Sequence, residues 1–123
     1  MTTAPMLPSN FADAWLNQRR APVGSAIYDA NEWALDAEIH WSFDEPHKLF
    51  EAIQLLSLRP MKKTEKEHFG TGPIEALFAN FFAEYAQQMF RLAATNENIS
   101  HALKGVRVNE EDEVEFDRMS QNL

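Results

Sequence analysis

The stretch from Gly70 to Leu92, GTGPIEALFANFFAEYAQQMFRL, constrains the fold more than any other part of the chain. Ile74, Leu77, Phe78, Phe81, Phe82, Tyr85, Met89 and Leu92 recur at the spacing of one helical face. A stripe this wide and aromatic needs other helices to cover it, so one element predicts an all-α fold. The start signal sits just ahead of it. Gly72 is read as the N-cap, Pro73 as the first helical residue and Glu75 as an acid in the first turn. Proline is favoured there because its missing N–H had no partner to lose, and an acid suits the positive end of the helix dipole.

The rest of the chain supplies the covering helices. Ser9 or Asn10 is placed to cap a first helix that turns Phe11, Ala14 and Trp15 inward and ends near Arg19 and Arg20. A connection, Ala21 to Gly24, leads to Ser25, read as the cap of a second helix reaching Trp41. That helix has two apolar faces, Ile27, Ala30, Ala34, Ala37 and Trp41 on one, Tyr28, Leu35 and Ile39 on the other. It is either central in a bundle or two shorter helices in line. Pro46 opens a third helix, with Leu49, Ala52, Ile53 and Leu56 as its main stripe, stopped by Arg59-Pro60. Residues 62–69 read as a short exposed helix. Asn96 caps a short one ended by Gly105, and Val106 to Val108 reads as extended. In the acidic tail Val114, Phe116 and Met119 are weak anchors. No segment alternates in the manner of a strand. The expected architecture is a compact bundle or short solenoid-like stack of five to seven helices in a single domain, 1–123. Its two ends, 1–8 and 109–123, are the candidates for flexibility.

Charge and cysteine content bound the function. The 123 residues carry a formal charge of −8, distributed in blocks. Residues 29–51 hold seven acids against Lys48, and residues 108–123 hold six against Arg118, while the middle is mildly basic. Such a chain is expected to bind neither nucleic acid directly nor an anionic membrane. No apolar run approaches the roughly 18 residues of a membrane span. The N-terminal residues lack the basic and apolar regions of a secretory signal. With no cysteine there is no disulfide, thiolate chemistry or Cys-based zinc site, which fits a cytoplasmic location.

Several landmarks resemble a bacterial family of small helical proteins of unknown function. They are Ala14-Trp15, Trp33, Pro46 with Ile53, Gly72-Pro73-Ile74-Glu75-Ala76-Leu77, and Leu103-Lys104-Gly105-Val106. The resemblance covers about residues 11 to 106, and the Gly-Pro-Ile-Glu-Ala-Leu piece carries most of it. His47 stands where that family tends to carry Glu, and the acidic tail lies outside the pattern. The family implies no catalytic residues. In size and acidity the chain is also similar, in type alone, to immunity proteins that protect bacteria from their own secreted toxins.

No motif indicates catalysis, a metal or a cofactor. Glu65 and His68 have the i, i+3 spacing of carboxylate-bridged metal sites, but such sites need the motif twice, facing inward. Gly70-Thr-Gly72 lacks the following Lys-Ser/Thr of a phosphate loop and the preceding strand of a dinucleotide fingerprint. No nucleophile sits in an elbow motif, and no carboxylate stands out by apolar surroundings. The expectation is a non-enzymatic binding protein, most concretely an immunity protein that blocks the basic cleft of a cognate toxin, with a nuclease as the natural candidate. The contact acids are Asp29, Glu32 and Asp36, stacked along one helix, and Glu110, Glu111, Asp112 and Glu113 in the tail. Phe90, off the main stripe of its helix, contacts another helix or anchors an interface. The alternative is a non-catalytic scaffold or regulatory subunit, built as a homodimer on leftover apolar faces.

Overall fold

The structure, a computed structural model, describes residues 7–123. Every regular element among them is helical, as expected for an all-α protein. The chain divides into two compact units, Met1–Arg59 and Pro60–Leu123, each with its own core.

The first unit packs α1 (Pro8–Arg20) against α4 (Pro46–Ser57), with α3 (Trp33–Asp44) on both and the short α2 (Ala26–Ala30) on α1. Helix α1 begins earlier than the Ser9/Asn10 reading. Leu7 is its N-cap and Pro8, which is buried, takes the first helical position. The remainder of the expected frayed segment, residues 1–6, lies outside the described residues. The core holds Phe11, Trp15, Trp41, Leu49, Ile53 and Leu56, all at most 1% exposed. Burying each contributes roughly 2–3 kcal/mol. Phe11 and Trp41 meet with ring centroids 5.8 Å apart, and the Arg19 guanidinium lies 3.8 Å above the Trp15 ring. The turn ahead of α2 is closed by Gly24 at φ 83°, a conformation other residues rarely adopt.

The segment expected as a helix from Ser25 to Trp41 is two helices, α2 and α3. Ser25 does cap the first, its Oγ accepting from the Tyr28 N–H at 3.2 Å. The break falls at Asn31-Glu32 because the Asn31 amide turns back and donates to the Ile27 carbonyl at 2.7 Å, replacing a continuing helical bond. On α3 one of the two apolar faces is covered: Ala34, Ala37 and Trp41 are buried, whereas Leu35 and Ile39 are exposed. On α2 Ile27 and Ala30, from the first face, are exposed as well, and Tyr28 is half-buried.

In the second unit, the predicted break before the phenylalanine-rich helix does not exist. Helix α5 (Lys63–Phe69) runs through a single π-helical turn, Gly70–Ile74, straight into α6 (Glu75–Ala93). Gly72 therefore caps nothing and Pro73 lies inside a continuous helical run. Proline there has no N–H to give and would crowd the carbonyl four residues back, and the wider π turn accommodates both. Helix α7 (Glu97–Leu103), capped by Asn96 Oδ1 on the Ile99 N–H at 3.0 Å, packs on α5 and this turn. A Cβ on Gly70 would stand 2.2 Å from the Ala102 carbonyl oxygen, so only glycine allows the approach. Helix α6 kinks at Phe81 (φ −136°, ψ 34°), two residues after the Ala79 carbonyl that accepts the Asn109 side-chain amide at 2.7 Å. Residues 62–69 are less exposed than expected. Phe69 is buried, and Glu65 folds back so that its Oε1 accepts the Lys62 N–H at 2.9 Å.

The acidic tail is helical. A 3₁₀ turn, Glu110–Asp112, leads into α8 (Glu113–Ser120), which packs on α6 through Phe116. The Phe116 ring lies 5.6 to 6.4 Å from those of Phe78, Phe82 and Phe90. Phe90 is thus a helix-to-helix contact, while Val114 is left exposed.

Candidate functional site

The acids singled out in the sequence fall into two groups, one per unit. Asp29 lies on α2, Glu32 in the turn that follows and Asp36 in the first turn of α3, and all three are exposed. The Asn31-Glu32 turn is spanned by three-residue bonds, Glu32 N to Asp29 O at 3.4 Å and Leu35 N to Glu32 O at 3.0 Å. The three acids therefore follow one another along an exposed segment that runs from α2 through this turn into α3. Like charges one turn apart cost a few tenths of a kcal/mol per pair, partly offset for Asp36 by the positive end of α3.

In the tail, Glu110, Glu111 and Glu113 are exposed and Asp112 is half-buried. They occupy the start of α8, where acids stabilise the helix N-terminus. Local structure therefore accounts for this group. Glu115 sits beside Arg118, whose Nε donates to it at 3.0 Å, and this bond holds the Glu115 carboxyl below its ordinary pKa.

Helix α3 shows more than the sequence reading took from it. Two parallel rows at i, i+4, i+8 spacing run along its outer side. Leu35, Ile39 and Phe43 form an apolar row, and Glu32, Asp36, His40 and Asp44 form an ionisable one. At its far end His40 Nδ1 lies 3.4 Å from Asp44 Oδ2, and His40 Nε2 lies 3.6 Å from Glu45 Oε2. Lys48 holds Glu45 at 3.0 Å, and that bond depresses the Glu45 pKa.

The inner side of α3 carries a group the sequence reading missed. Glu38 is 6% exposed, and its Oε1 has no hydrogen-bond partner among the described residues. Burial pushes its pKa from the ordinary 4.5 up to about 7, against a smaller opposing attraction from Arg19. The signal was present: Ala34, Ala37, Glu38 and Trp41 have the 0, 3, 4, 7 spacing of one buried stripe. Trp33, one of the landmarks of the family resemblance, is half-buried.

No constellation for chemistry is assembled around these groups. Among the described residues no group of three or more His, Asp or Glu could hold a metal ion. Glu65, half of the candidate metal pair, is used in starting α5, and His68 is exposed. A cleft of about 380 Å³ beside α6, α7 and α8 is lined by Gln87, Phe90, Ser100 and Met119, with Arg118, already engaged by Glu115, as its ionisable side chain. No helix among the described residues is long and apolar enough to cross a membrane. Comparison of the chain with protein-family models, with curated proteins and with solved structures finds no match.

Proposed function

We propose that this is a non-catalytic binding protein whose acidic surface engages a basic protein partner. Its most concrete form is an immunity protein occupying the phosphate-binding cleft of a cognate toxin. The observation that carries this reading is the exposure of Asp29, Glu32 and Asp36 along the segment from α2 into α3. Like the tail acids they stand at helix starts, which offsets part of their mutual repulsion, and opposite charge on a partner relieves the rest. A cleft built for phosphate attracts carboxylates by the same field, which speeds encounter and gives affinity that weakens with salt.

Replacing Asp29, Glu32 and Asp36 together by Lys tests the surface. Affinity for the cognate partner, found by co-purification from the native cell, is expected to fall and to lose its salt dependence. Unchanged affinity would exclude this strip as the contact.

One observation favours a second reading, a scaffold subunit that pairs with itself: Leu35, Ile39 and Phe43 leave an uncovered apolar row on α3. Light scattering after size exclusion separates the two, because a dimer indifferent to salt belongs to the scaffold.

A further inference from the structure

The apolar row on α3 is exposed where its opposite side is sealed. Leu35, Ile39 and Phe43 are 36%, 58% and 65% exposed, while Ala34, Ala37 and Trp41 on the same helix are at most 1% exposed. Scattered surface apolar residues are ordinary, but a row of three at one spacing, beside a row of acids, has the make-up of an interface: an apolar centre with a charged rim. Helix α3 carries no Lys or Arg. Lys48 on the adjoining α4 is engaged by Glu45.

Those charges select the occupant. An anionic lipid surface would be repelled by Glu32, Asp36 and Asp44. A second copy would bring the same acids, and another net charge of −8, with no cationic row on its α3 to meet them. A basic amphipathic helix satisfies both rows at once. Its apolar side chains cover Leu35, Ile39 and Phe43, and its Lys or Arg side chains face Glu32, Asp36 and Asp44.

Building on the acidic-surface reading, we infer that the outer side of α3 is a docking site for a cationic amphipathic helix of a partner protein. The apolar row supplies most of the affinity. The acids supply orientation and encounter rate.

The probe is a fluorescent Leu/Lys peptide of about eighteen residues patterned at helical spacing. Its controls are the same composition scrambled and a Leu/Glu peptide of the same pattern. Anisotropy is measured at about 50 and about 200 mM salt. The patterned Leu/Lys peptide alone is expected to bind. The combined variant Leu35→Ser, Ile39→Ser, Phe43→Ser changes only exposed side chains, and circular dichroism checks that it stays folded. It is expected to weaken binding about tenfold or more. Asp36→Asn with Asp44→Asn is expected to flatten the salt dependence. If the serine variant binds as well as the parent while the Asp29, Glu32, Asp36 reversal abolishes binding, the acidic surface stands and the apolar docking site is refuted. Binding untouched by either set, or no binding of the patterned peptide, overturns the docking site, and the acidic-surface reading is then decided by the cognate-partner test. A dimer dissolved by the serine variant shows that a second copy covers the row, and the proposal fails.

Discussion

Replacing Glu38 by Gln removes the one ionisation that burial in α3 opposes most clearly. The parent carboxyl titrates near 7 in the fold and near its ordinary 4.5 when unfolded. Between those values the folded state holds a proton that the unfolded chain has lost. Stability therefore falls as pH rises through that window, and the favourable contribution is complete only below about 4.5. Two and a half units at about 1.36 kcal/mol each gives about 3 kcal/mol of stability lost by pH 8. The glutamine variant has no proton to lose. Urea unfolding at about pH 5 and about pH 8 isolates the effect, because other titrating groups cancel in the difference between variant and parent. The variant's stability relative to the parent should rise by about 3 kcal/mol between the low and high ends of the window. A difference that stays within about 0.5 kcal/mol from pH 5 to pH 8 would refute the claim that Glu38 is buried without compensating bonds. Arg19 opposes the shift, so Arg19→Gln in the parent should carry the loss of stability to still higher pH.

Gly70→Ala should destabilise by about 1–3 kcal/mol in urea unfolding, since its Cβ would meet the Ala102 carbonyl and one backbone would have to retreat; a neutral result contradicts the close approach of the two helices. Phe116→Ala should cost about 3 kcal/mol and release α8 first, read as faster amide exchange over 113–120 than in α6. Asn96→Ala should cost about 1 kcal/mol through loss of the cap on the Ile99 N–H, detectable as a lower urea midpoint with an unchanged slope.

Periodicity made the helices legible. The stripes of α1 and α4 are buried where their spacing placed them, that of α6 is buried except for half-buried Phe81, Tyr85 and Leu92, and Ser25, Pro46 and Asn96 start helices as their chemistry predicts. These features lie within a few residues of one another, and local sterics and hydrogen bonding decide them. The misreading at the start of α6 has a different cause. Gly70-Thr-Gly-Pro73 has every local mark of a helix start, yet the chain runs through it as a π turn. Glycine at 70 answers to Ala102, thirty-two residues away, and not to its neighbours.

The candidate surface was half legible in the same sense. The acidity of 29–36 and the apolar character of Leu35 and Ile39 are plain in the sequence, whereas their uncovered state is not. An apolar row at helical spacing predicts burial by default, because spacing states which residues share a face and is silent on whether anything packs against it. By itself the sequence determined an all-helical, acidic chain and most of its helix boundaries, since these follow from forces acting over one or two turns. Which face of α3 met a neighbour, which glycine a second helix needed, and that Glu38 was sealed from water were decided only when distant segments packed together.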